Sequence, residues 1–361
     1  MAQDLVLNAG ILTLVTEGHL YGDDANDSRI PHFPQSTFYV APAAGISNLP
    51  QDAKRYNRAG KFAQGNIVVK KDGGEFILVD NSPPRHALNP SAYPLQKTIN
   101  FGGIQVNATL VTTGGNSGVT IGVGSDIGAG GWSVEKIDDV FGAKLLVPDK
   151  MVKTLHQAVG KIGVPAAHAL AQYNMRNVVR LTQQQVCDLL TLQWNSPNSH
   201  YLKASKAGFP QSWNAMHSVL QEIVMKIAYG YGNVTKSHAD NIRALDPVLK
   251  NKSELEQLTL FRAALLKDNA SSADKFAKFI DVAIDTIQKG GKVSVVKEPV
   301  QMDELLKANN PTLDIVAQVT GNKKIRERIT KARSEEPQKM KEAYERLGQT
   351  YVPPQIGRAH V

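Results

Sequence analysis

A hydroxyl and a carboxyl stand six positions apart in one glycine-rich stretch: Thr120 and Asp126 in GGNSGVTIGVGSDIGAGG, Gly114 to Gly131. Val119, Ile121 and Val123 alternate with Thr120 and Gly122, the period of a strand with one apolar face. Glycine permits tight turns and close approach by backbone or ligand. Thr120 and Asp126 are therefore expected near a hairpin edge, the acid just past the turn-prone Gly124. A hydroxyl and a carboxylate on a rigid ribbon are parts that can orient and activate water. Phosphate chemistry fits less well. No Lys followed by Ser or Thr closes the run, and Gly122, Gly124 and Gly128 miss the dinucleotide spacing by one residue.

Hydrolysis by such a pair also needs an acid to protonate the leaving group. Asp4 to Gly18 is expected to form a helix with Leu5, Leu7, Ile11, Leu12, Leu14 and Val15 inward and Gly18 as its C-cap. Glu17 then falls at the helix end, where the dipole and an apolar wall both oppose ionisation. That is the setting of a general acid; a solvated terminal glutamate is the plain alternative.

SGVTIGVGSDIG, Ser117 to Gly128, resembles the SGVTIG-x-G-x-D-x-G signature of the muramidase domain of pesticin and related phage-type lysozymes. TEGHL resembles that family's helix-ending Glu-Gly, and SRIPHFPQ, Ser28 to Gln35, its His-aromatic-Pro segment. IAYGYG, Ile227 to Gly232, and the order of the helices are similar to its helical lobe; past Gly232 the resemblance fades. It implies a lysozyme-like α+β fold, a small β-hairpin lobe plus a larger helical lobe. The implied reaction is hydrolysis of the peptidoglycan bond between N-acetylmuramic acid and N-acetylglucosamine, with no cofactor and no metal. In the roles it implies, Glu17 protonates the leaving oxygen, Asp126 stabilises positive charge on the sugar and helps activate water, and Thr120 orients that water. His32, beside the Glu17 region with His19, is a candidate substrate contact. So are Trp194 and Tyr201, flanking the loop NSPNSHY, although aromatics at helical spacing are more often packed in a core.

The chain departs from the family between Gln35 and Gly114, where close relatives have only a short connection. Runs such as GNIVV, EFILVD and IQVNATLV, separated by turn clusters, read as a β-rich insertion over 36–114. The insertion leaves Glu75 or Asp80 as alternative acids, with Glu75 reading as an edge residue. The muramidase domain is expected over 1–250, followed by a helical C-terminal extension over 251–354. Helix starts are expected at Asp149, Thr182, Ser212, Ser253 and Ser272, each opening an apolar periodic run. Residues 355–361, QIGRAHV, match the translation of a common sequencing-library adapter, so the natural C-terminus is expected to differ there.

A chain of 361 residues, 42% hydrophobic, can bury one large core or two modest ones. The net charge of +8 favours polyanions such as the bacterial envelope. Acids interleave the basic C-terminal run from Lys323 to Leu347, which reads as a solvated or partner-contacting helix, and nucleic-acid binding lacks a recognition motif. The single cysteine, Cys187 in VCDLL, excludes an internal disulfide framework and reads as a buried helical thiol. No histidine or cysteine group has metal-ligand spacing. The N-terminus lacks a basic n-region and no run is long enough for stable membrane insertion. The expectation is a protein made in the cytoplasm that acts in the periplasm or wall of a target or host bacterium, with an immunity protein or secretion machinery as further partners.

Overall fold

The computed structural model describes residues 4–16, 18–21, 27–32, 37–40, 67–72, 75–80, 96–101, 104–112, 118–162, 164–197, 199–231, 240–268, 273–308 and 310–352. The fold is mixed and mostly helical, of the α+β class. In chain order, strand β1 (Leu5–Asn8) and helix α1 (Ile11–Thr16) precede β2 (Thr37–Val40), β3 (Ile67–Asp72), β4 (Glu75–Asp80), β5 (Gln96–Phe101) and β6 (Ile104–Thr112). The hairpin strands β7 (Thr120–Ile121) and β8 (Ser125–Asp126) follow. The longer helices after them are α2 (Asp149–His156), α3 (Val164–Gln172), α4 (Gln183–Trp194), α5 (His200–Gly208), α6 (Ser218–Tyr231), α7 (Glu254–Lys267) and α8 (Ala273–Gln288). Strand β9 (Val293–Val296), α9 (Pro311–Thr320) and α10 (Ile325–Arg346) complete the chain.

Two compact units result: Met1–Tyr21 with Gln183–Glu335, and Gly22–Thr182 with Glu336–Val361. Helices α7, α8 and α9 belong to the same unit as α4, α5 and α6.

In the first unit, the helix expected over Asp4 to Gly18 is replaced by a strand, a turn and a short helix. Leu5 and Leu7 are buried while Val6 is 53% exposed, the period of two that a strand gives. β1 finds a parallel partner in β9, Leu5 opposite Val293 and Asn8 opposite Val296. Gly10, at φ +80°, then reverses the chain into α1. The C-terminal end matches the sequence: Gly18 has φ +73°, its N–H donates to Val15 O at 3.2 Å, and the His19 N–H donates to Leu14 O at 2.9 Å. Those paired bonds are a Schellman closure. Ser253 and Glu256 make the capping box expected at the start of α7, each side chain bonding the other's backbone N–H. The helix expected from Ser212 is shorter. Residues Trp213–Ala215 form a single 3₁₀ turn, and α6 begins at Ser218, where the His217 ring accepts the Val219 N–H. Leu220, Ile223, Val224 and Ile227 of α6 are buried as expected, and so is Met216, which precedes the helix. Cys187 is buried, its thiol 3.7 Å from Met302 Sδ.

In the second unit, β2 to β6 form a five-stranded antiparallel sheet in the order β3-β4-β2-β6-β5, within the segment expected to be a β-rich insertion. β4 is an inner strand, with Glu75 opposite Asp72 and Asp80 opposite Ile67. Val119, Ile121, Val123 and Ile127 of the ribbon are fully buried, as are Phe141, Met151 and Leu155. Asp149 is the first residue of α2, one position inside the capping place expected for it, and pairs with Lys153 at 2.7 Å. α10, with residues in both units, has an exposed face, where Lys331–Glu335 and Lys341–Glu345 pairs at 3.8 Å contribute little, and a buried one that includes Ile329, Met340 and Ala343. Among the described residues, no helix is long and apolar enough to cross a membrane.

Candidate functional site

The ribbon places Thr120 directly opposite Asp126. On its other side His32 forms an antiparallel bridge with Thr120: each N–H donates to the other's carbonyl, at 2.8 and 2.7 Å. Residues opposite one another in such a ladder direct their side chains to the same face. His32, Thr120 and Asp126 therefore form one row across the ribbon.

Backbone holds the acid in place. The Asp126 carboxylate accepts the Gly118 N–H on both oxygens at 3.0 Å, and its Oδ1 also accepts Gly128 N–H at 3.0 Å and Ala129 N–H at 2.8 Å. Oδ2, with only the shared Gly118 donor, keeps the greater free acceptor capacity. Asp126 is half-buried; Thr120 is 4% and His32 7% exposed. The Thr120 hydroxyl makes only a long contact, 3.5 Å, to Gly118 O.

The glycine spacing has a steric cause. A Cβ on Gly118 would stand 2.4 Å from Gly128 Cα, and one on Gly128 would stand 2.0 Å from Lys161 O. Only two backbones without side chains can pass this closely, and their N–H groups are the ones aimed at Asp126.

The segment carrying His32 is pinned by a buried ion cluster. Arg29 Nε donates to Asp27 Oδ1 at 2.6 Å, and Arg180 Nη1 donates to Oδ2 at 3.0 Å. Burial works against ionising Asp27, but the Arg29 and Arg180 guanidiniums outweigh it and hold its carboxyl below the usual carboxylate range. The Leu181 N–H to Arg29 O bond, 2.7 Å, and the Gly122 N–H to Ser28 O bond, 2.8 Å, tie the same segment to its neighbours.

Trp194 and Tyr201 come together in the first unit. Their ring centroids lie 5.7 Å apart, and Tyr229 stands 5.4 Å from Tyr201. Trp194 is only 2% exposed and its indole N–H donates to Glu222 Oε2 at 3.2 Å. His19 joins this cluster through the Tyr229 hydroxyl at 3.2 Å. Glu17 lies outside the described residues.

Glu222 was not singled out in the sequence, although an acid between Leu220 and Ile223 in an apolar stripe was the available signal. Its Oε1 accepts the Gly10 N–H at 2.8 Å. Burial, only partly opposed by the Gly10 and Trp194 donors and by Lys226, pushes its carboxyl up to about 7. Among the described residues no group of three or more His, Cys, Asp and Glu side chains is arranged to hold a metal ion.

No family model, curated protein or solved structure gives a significant match to this chain.

Proposed function

We propose that the chain is a muramidase-type glycoside hydrolase acting on peptidoglycan, with a lysozyme-like arrangement of its hairpin and helices. The observation that carries the reading is the row His32–Thr120–Asp126, with the acid and the hydroxyl directly opposed on a backbone-braced ribbon. In this reading Asp126 uses its freer oxygen, Oδ2, to take a proton from water or to face the developing positive charge on the sugar. Thr120 orients that water through its hydroxyl, which has no short partner among the described residues. Glu17 is the general acid on the strength of the sequence resemblance. The biological settings that fit are an antibacterial effector, a bacteriocin's toxic domain or a phage lysis enzyme; the first would be matched by an immunity protein.

The test is release of reducing ends from purified peptidoglycan by the wild-type chain, Glu17→Gln and Asp126→Asn. The wild type is expected to release sugar and both variants to lose most of that activity, about 100-fold or more. Full turnover in Glu17→Gln would move the acid elsewhere, with Glu75 and Asp80 next in line.

A second reading, a wall-binding or envelope-docking module without catalysis, is favoured by one observation. Three backbone donors already occupy Asp126, as they would in a turn brace, and Thr120 is almost wholly buried. Binding to peptidoglycan with no sugar released by the wild type would select it.

A further inference from the structure

A cavity of about 300 Å³ opens in the first unit, with Glu222, Trp194 and Trp213 in its wall and none of the ribbon's residues in its lining. Its size is at the lower end of small-molecule sites. Lys206, at the end of α5, and Lys297, just past β9, also line it. Neither ammonium pairs with a carboxylate among the described residues. Glu222 is the only acid of the lining. It spends one bond per oxygen on Gly10 and Trp194, which leaves acceptor capacity on both.

Two amides in the same wall are oriented alike. Asn195 Nδ2 donates to Lys297 O, and Gln221 Nε2 donates to Trp213 O, each at 2.6 Å. With their N–H groups turned to backbone carbonyls, their oxygens remain as acceptors. The cavity thus combines two indoles in its wall, oxygen acceptors on three side chains (Glu222, Asn195 and Gln221) and two cations that pair with no carboxylate among the described residues. Acceptors call for a ligand with several hydroxyl or N–H donors; the cations call for one anionic group; the indoles call for a compact ring.

We propose that this cavity is a binding site for a small sugar acid, a hydroxylated ring carrying one carboxylate. Hydroxyls of the ring donate to Glu222, Asn195 and Gln221. The carboxylate lies towards Lys206 and Lys297. The site shares no lining residue with the His32–Thr120–Asp126 row and does not depend on that row being catalytic.

The probes are N-acetylmuramic acid, glucuronate as a sugar acid foreign to the wall, N-acetylglucosamine as a ring without the carboxylate, and inorganic phosphate. The readout is tryptophan emission of the full chain carrying Trp132→Phe, which leaves Trp194 and Trp213 as reporters. Both sugar acids are expected to give a saturable change, with N-acetylglucosamine weaker by about tenfold or more. The double variant Lys206→Ala, Lys297→Ala alters side chains at the cavity's rim and is expected to weaken the sugar acids by about tenfold with an unchanged melting temperature. Binding of N-acetylmuramic acid but not glucuronate would narrow the site to the wall's own sugar and still support it. Absence of saturation with both acids, equal affinity for N-acetylglucosamine, indifference to the lysine changes, or phosphate binding as tightly as the acids would each overturn it. Repeating the titration with Asp126→Asn separates the two ideas: loss of hydrolysis there with intact sugar-acid binding supports both, and a chain that never hydrolyses wall leaves the titration to decide the cavity by itself.

Discussion

Asp126 is a residue whose structural and chemical duties can be separated. Asparagine keeps Oδ1, and with it the acceptor for Gly118, Gly128 and Ala129. It loses the shared bond on the second oxygen, where an amide N–H donor then faces the Gly118 N–H. Asp126→Asn is therefore expected to cost about 1 kcal/mol of stability, whereas Asp126→Ala orphans three N–H groups and should cost about 3 kcal/mol or more. Denaturant unfolding of the pair measures this difference. If the asparagine variant is near native in stability yet inactive on peptidoglycan, the carboxylate acts in the reaction; if it is stable and fully active, Asp126 is a turn brace. The glycines around it act sterically. Gly128→Ala puts a methyl group 2.0 Å from Lys161 O, against backbone that has little room to yield. A loss of about 2 kcal/mol or more is expected, seen as a lowered melting temperature.

At the scale of elements, Glu222 connects α6 to the Gly10 turn that starts α1. The folded carboxyl, pushed up to about 7, lies above its ordinary value of 4.5. The native state therefore holds a proton that the unfolded chain has released across that interval. The stability this group contributes is fully present below pH 4.5 and is lost as the pH rises through about 7. The expected slope is one proton, roughly a tenfold fall in the folding constant per pH unit. Glu222→Gln should remove that slope and be as stable as the wild type, or more so, at pH 8. Equal slopes for the two proteins between pH 5 and 7 would show that Glu222 ionises freely in the fold. The same bond explains why the turn is where it is: a left-handed glycine offers its N–H to a buried acid across the unit, and α1 begins on the next residue.

At the scale of the whole molecule, β1 and β9 join the two chain segments that make up the first unit. The helices after residue 250 are thus part of the body that holds α1 and α6. A fragment of residues 1–250 is expected to lose cooperative unfolding, because β1 is left without its partner and the core face of α6 without α8. Cooperative melting of that fragment close to the full chain's temperature would show that the C-terminal helices are a separable extension.

Much of the local structure was written in adjacent residues. The alternation of Val119, Ile121 and Val123 and the glycines between them specified the hairpin; Gly18 specified the end of α1; Ser253 and Glu256 specified the start of α7. Each depends on backbone angles, side-chain period or a hydrogen bond spanning a few residues, which a linear reading can see. Leu5 to Asn8 could not be read this way. Its leucines suit an amphipathic helix as well as a strand, and the choice was made by β9, nearly the whole chain away, and by the left-handed Gly10. The placing of His32 beside Thr120, the burial of Glu222 under Trp194 and the division into units are likewise products of contacts between distant segments. The sequence by itself determined which residues can turn, cap and alternate. Tertiary structure decided which polar groups lie together and which are removed from water, because burial and pairing are properties of neighbours that the order of the chain does not record.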